Sequence, residues 1–165
     1  MPRRVDHDAD PAQLAFSATL RSSTMTSLMT LVQVWTSEDF QASMAVGAGV
    51  RIQSRDIPAL LLLGLNGPMR PSELALALRV SGGTVSKIAD RLVLGGFAAR
   101  VAVATDARAS RIALTRDGVA AATALFDEGE RILAGLFDDW KPEELHSFST
   151  MLGRVVDRVS AGPPE

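Results

Sequence analysis

The sequence predicts a mainly α-helical protein carrying one small β-hairpin, and three observations point there. Apolar residues make up 47% of the 165 positions but aromatics only 5%, an Ala/Leu/Val-rich balance that suits packed helices better than a β-sandwich. Apolar positions recur at helical spacing in several stretches. The exception is the segment 98–115, where two β-like runs, Ala98 to Ala104 and Ser110 to Thr115, flank the small polar turn Thr105-Asp106-Ala107-Arg108-Ala109. A short helix leading into a hairpin with an arginine at its tip is the layout of a winged helix-turn-helix. The expected fold is therefore mainly α: a winged helix-turn-helix with a small hairpin wing and long terminal helices suited to dimerisation.

Residues 1–10 are polar and charged and are expected to be a mobile N-terminus. Pro11 can open the first helix, which runs to about Trp35 with Leu14, Ala18, Leu28, Leu31, Val32 and Trp35 as a partial apolar stripe. Thr36 to Asp39 reads as a cap or a turn, Phe40 to Val46 as a short helix, and Gly47-Ala48-Gly49 as a break. This N-terminal region, 11–50, is expected to help form a dimer. The winged helix-turn-helix lobe is placed at 51–115. There Ser54 is expected to cap a helix with Asp56 in its first turn, and Leu60 to Leu63 with Leu65 make that helix apolar nearly all round, which places it in the interior.

Pro71 to Leu78 reads as the positioning helix, with Pro71 at its first position and Leu74, Ala75 and Leu78 facing inward. Arg70 stands at its cap position, so the cap bond is either lost or replaced by Ser72. After the turn Arg79-Val80, Ser81 caps a helix whose inner face is Val85, Ile88, Ala89, Leu92 and Val93, and Gly95-Gly96 stops it. Beyond the wing, Thr115 caps a long helix to about Phe137, with Ala120, Leu125, Ile132, Leu133 and Leu136 as packing positions. Lys141-Pro142-Glu143-Glu144 opens a last helix whose stripe is Leu145, Phe148, Leu152, Val155, Val156 and Val159. These C-terminal helices, 116–160, bury only part of that surface on one chain and are expected to pair in a symmetric homodimer, with 161–165 as a loose tail.

The segment around the wing also resembles a known family. Asp106-x-Arg108-x5-Leu114-Thr115-x2-Gly118 is similar to the wing signature of the MarR family of bacterial transcriptional regulators. Thr84-Val85-Ser86 and Asp90-Arg91-Leu92, then Gly96-Phe97 and Arg100, are similar to the region of that family's recognition helix. The residue-level resemblance covers about 70–118, and length and helix order extend it over nearly the whole chain. It implies a regulator, most readily a repressor, that binds a pseudo-palindromic operator in double-stranded DNA and is released by a small aromatic or apolar effector. It also implies that the first helix joins the dimer, and that Asp106 and Arg108 carry the wing's structural and DNA-facing work.

Net charge is −2, but residues 79–116 hold seven basic residues against two acidic ones, a local +5 that leaves the remainder at −7. Phosphate attraction needs such a local lobe and depends less on the global sign. Ser81, Thr84, Ser86, Lys87 and Arg91 are the DNA-facing candidates on the recognition helix, and Lys87 could serve either a guanine edge or a phosphate. On the wing, Arg108 is placed for the minor groove, Arg111 for a phosphate, and Asp106 to pair with one or the other. Met25, Met29, Trp35 and Phe40 could line an effector pocket between the dimer helices and the DNA-binding lobe, although plain core or dimer packing is the commoner fate of such residues.

No cysteine is present, which excludes disulfides and thiol redox sensing. The start of the chain lacks the apolar segment of a secretory signal, and no apolar run reaches the length of a membrane span, so a cytoplasmic location is compatible. His7 and His146 form no metal-ligand spacing, and no nucleophile with a partnered base or phosphate loop is found. Neither an enzyme nor a cofactor is expected. The competing function is a winged-helix module that binds protein without specific DNA contacts. The Gly82-Gly83 pair, Arg70 at the cap position and the negative net charge favour it.

Overall fold

A computed structural model of the chain describes residues 23–103 and 106–162, with the backbone alone at 23, 103 and 106–109. The expected start of the first helix at Pro11, with the whole segment 1–22, lies outside the described residues. In order come helix α1 (Ser23–Trp35), helix α2 (Glu38–Gly47), a 3-10 turn (Ser54–Asp56) and helix α3 (Ile57–Asn66). Helix α4 (Pro71–Leu78), helix α5 (Gly82–Leu94), the strands β1 (Ala98–Val103) and β2 (Asp106–Leu114), and helices α6 (Arg116–Leu136) and α7 (Pro142–Ser160) complete the chain. The molecule is mainly α with one antiparallel hairpin, as the sequence predicts.

Helix α3 occupies the centre. Ile57, Ala59, Leu60 and Leu63 are buried, packed with Leu74 of α4, Val85 and Leu92 of α5, Ile112 of β2 and Leu125 of α6. This helix is less enclosed than its composition suggests: Leu61 and Leu62 are half-buried and Leu65 is 67% exposed, because α6 and β2 cover only the face that carries Leu60 and Leu63. Ser54 is not its cap. It starts the 3-10 turn instead, and Asp56 precedes the helix without a capping bond. On α6 the inward residues are Ala121, Ala122 and Leu125, whereas Ala120 and Leu136 point outward.

Local caps behave as their chemistry requires. Ser37, Ser81 and Thr115 accept from the N–H groups of Phe40, Thr84 and Gly118 and start α2, α5 and α6. At α4 the Glu73 carboxylate accepts from the Arg70 N–H at 2.7 Å, so Glu73 rather than Ser72 closes that end.

Strand pairing runs from Ala98↔Leu114 to Ala102↔Ser110, then shifts so that Val103 pairs with Asp106. The second strand therefore begins at Asp106 rather than Ser110. Arg108 belongs to this irregular stretch of β2 rather than to a free turn, because pairing resumes beyond it. A further bridge joins Met69 to Ile112, tying the entry of α4 to the wing.

No residue of α7 is buried, and its apolar stripe from Leu145 to Val159 stands exposed, as do Met29, Leu31, Val32 and Val34 of α1. Phe137, Trp140 and Phe148 cluster with ring centroids 4.8–5.5 Å apart, which holds the α6–α7 corner. Among the described residues no helix is long and apolar enough to cross a membrane.

Candidate nucleic-acid interface

Helix α5 owes its orientation to a clean division of faces. Val85, Ile88, Ala89 and Leu92 are buried, while Gly82, Gly83, Thr84, Ser86, Lys87 and Asp90 are exposed. Val93, expected on the inner face, is 39% exposed, since it lies past the edge of the stripe that α4 and β1 cover. The turn into this helix uses Arg79 in the left-handed region at φ 56°, a conformation costly for a residue with a Cβ.

The hydroxyls at the start of α5 are partly turned back on the chain. Ser81 and Thr84 share a 2.9 Å hydrogen bond, and Ser86 donates to the Gly82 carbonyl at 3.1 Å. Lys87, exposed on the same face, makes no hydrogen bond or ion pair among the described residues, and the same holds for Arg79 and Arg116. Among the described side chains of 79–116, these are the cations left for an outside partner.

Three other cations of 79–116, Arg91, Arg100 and Arg111, are engaged within the chain. Arg91 is bidentate with Asp56, Nε to Oδ2 at 2.8 Å and Nη2 to Oδ1 at 2.5 Å. That carboxylate is only 2% exposed, and its hydrogen bond holds the Arg91 guanidinium above its ordinary value and firmly protonated. Arg91 thus reaches inward rather than along the outer face. Arg100 of β1 pairs with Asp90 of α5 at 2.8 Å in an exposed bridge between that helix and the hairpin. Arg111 donates to the Pro68 carbonyl at 3.0 Å. For Asp106 and Arg108 the described backbone places them in β2, and their side chains lie outside the described residues.

The root of the wing is tied at three points. Phe97 accepts from the Thr115 N–H at 3.0 Å, and the Thr115 hydroxyl donates to the Gly96 carbonyl at 2.6 Å. Gly118 lies so close to the Phe97 carbonyl that a Cβ would overlap it, which explains a glycine in the first turn of a helix.

The four proposed effector residues do not gather round one cavity among the described residues. Trp35 and Phe40 stack on each other at 4.8 Å where α1 meets α2. Met25 and Met29 are exposed on α1, where Leu28, Met29, Val32 and Gln33 line an open groove of about 390 Å³.

Asp56 is the residue that sequence reasoning misjudged. It reads as an ordinary first-turn acid, and nothing local announces a partner 35 residues away. Arg79 and Arg116 were likewise passed over as individual contacts, with their exposure and charge as the only signals.

Comparison with known proteins agrees with this geometry. The model of the MarR family matches residues 52–109, which run from before the central helix into the wing. A search of curated proteins finds no match. Among solved structures, a MarR family protein from Bacillus stearothermophilus superposes with a TM-score of 0.74 at 19% identity, over 87% of this chain and 97% of that one. Wild-type MarR from E. coli in its apo form gives 0.65 at 20% identity, over 79% and 96%. The transcriptional regulator Tm0710 from Thermotoga maritima gives 0.55 at 20% identity, over 92% and 99%.

Proposed function

We propose that this chain is a MarR-type regulator, whose family model matches residues 52–109, and that it acts as a dimeric, sequence-specific DNA-binding protein. The observation that carries the reading is the pairing of an unpartnered Lys87 on the polar face of α5 with a hairpin wing rooted beside that helix, in a lobe whose charge is locally positive. Lobe 51–115 binds double-stranded DNA. Residues 81–87 enter the major groove, and Arg108 and Arg111 of the wing approach the adjacent minor groove and backbone. Regions 11–50 and 116–160 form the homodimer through the exposed stripes of α1 and α7. Two recognition helices then meet half-sites of a pseudo-palindromic operator roughly 34 Å apart.

The regulator acts as a cytoplasmic repressor. A small aromatic or apolar effector that favours a different lobe spacing shifts the population away from the DNA-bound geometry. Residues Met25, Met29, Trp35 and Phe40 mark the side of the molecule where such an effector would sit.

One observation favours a second reading, a protein-interaction module. Arg91, Arg100 and Arg111 are all satisfied inside the chain, which thins the surface charge available to phosphates. Lys87→Ala and Arg108→Ala separate the two. If the chain grips DNA, each weakens binding to a duplex selected by the wild type and lowers the salt dependence by about one ion per subunit, with the melting temperature unchanged. Affinity and salt slope equal to wild type in both variants would leave the interaction module.

A further inference from the structure

Helix α5 is held to the rest of the lobe by two kinds of force. Val85, Ile88 and Leu92 bury apolar surface, which is non-directional and fixes the helix's depth better than its rotation. Directional constraint must come from polar groups, and two side-chain ion pairs leave the helix. Asp90–Arg100 is exposed on both sides and screened by water. Arg91–Asp56 differs in kind: a two-pronged fork on a carboxylate that is 2% exposed, at the junction of the 3-10 turn and α3. That junction packs on α2, so the fork ties the recognition helix to the side of the lobe that leads back to α1.

We propose that Asp56 is a positioning residue for DNA recognition: it clamps Arg91 in one setting, fixes the angle at which residues 81–87 are presented, and withdraws Arg91 from phosphate contact. The proposal rests on the DNA-binding reading above. The physical basis is that a contact surface needs its supporting shell held to a fraction of an ångström, which a bidentate guanidinium–carboxylate pair supplies and a sliding apolar face does not. A carboxylate that is buried must also keep its partner, so Arg91 cannot swing out to a phosphate without leaving an uncompensated charge behind.

The test uses Arg91→Gln, Arg91→Lys, Asp56→Asn and the double variant Asp56→Leu/Arg91→Met. Each is titrated with salt on the duplex that the wild-type protein selects from a random library, and amide hydrogen exchange is followed on the DNA-free protein. The single variants are expected to weaken the selective complex tenfold or more while keeping the wild-type salt slope, and to speed exchange in α5 without changing α3 or α6. Arg91→Lys keeps the charge without the fork and should bind as weakly as Arg91→Gln. The double variant replaces the pair by apolar groups that can preserve the fold. It should still bind weakly, because the directional constraint is gone.

A salt slope reduced by about one ion per subunit in Arg91→Gln would make Arg91 a phosphate contact and overturn the proposal. Wild-type affinity in the double variant, or full rescue by lysine, would overturn it too. So would faster exchange spread evenly over α3, α5 and α6 with unchanged affinity of the folded fraction. If the wild type selects no duplex, the DNA-binding reading fails on its own. The exchange experiment then still decides the clamp, upheld by loosening confined to α5 and overturned by none.

Discussion

Gly118 constrains the wing at a single atom. A methyl group there would run into the Phe97 carbonyl at the hairpin's root, where main-chain atoms cannot step aside cheaply. Gly118→Ala would gain about 1 kcal/mol in helix propensity, but overpacking of this kind costs about 1–3 kcal/mol. The variant is therefore expected to melt below the wild type in a thermal scan, and a higher melting point would refute the close approach. Glu128 of α6 is a second such residue, buried beneath Gly47 of α2 and hydrogen-bonded to Arg131 at 2.7 and 2.6 Å. The Arg131 hydrogen bond lowers its carboxyl from the ordinary value of 4.5. A lowered folded value contributes stability that is complete above 4.5 and lost as pH falls through the folded value. Urea unfolding over a pH series should show Glu128→Gln less stable near neutrality and with a shallower acid slope than wild type; identical slopes would count against the pair. At this scale the caps Ser81 and Thr115 were legible because each bonds its own neighbours. Asp56 was not, since its partner comes from another helix.

Helix α5 was legible as an element because its stripe, cap and glycine stop all lie within one continuous stretch. The wing was legible in kind but not in extent. Residues 106–109 have the small polar composition of a turn, yet pairing between Val103 and Asp106 carries the strand past them. Helix α3 shows the opposite error: five leucines suggested full burial, but Leu65 faces outward where no element lies over it. Helices α1 and α7 display apolar stripes that the single chain leaves uncovered, so the proposed dimer is what would cover them. Placing aspartate at Leu152 and Val156 puts two charges into that proposed interface without touching a buried side chain. Light scattering of the double variant should report monomers, with the wild type a dimer at the same micromolar concentration. A monomeric wild type would remove the assembly from the account.

Across the whole molecule, charge and shape divide the labour. The segment 79–116 is positive while the rest of the chain is negative, so a single net charge of −2 hides the lobe that would face phosphates. The proposed dimer would set the distance between two such lobes, and the buried contacts of α3 with α4, β2 and α6 would carry that geometry from the helices to the wing. The central claim is that two chains together grip one duplex at a chosen sequence. Its most direct measurement is a binding titration of the purified protein on a duplex selected from a random library and on a scrambled control, at two salt concentrations and with the stoichiometry determined. The account predicts two chains per duplex, half-sites about 10 base pairs apart, clear preference over the control, and affinity that falls steeply with salt. Equal binding to both duplexes, or binding indifferent to salt, would contradict it.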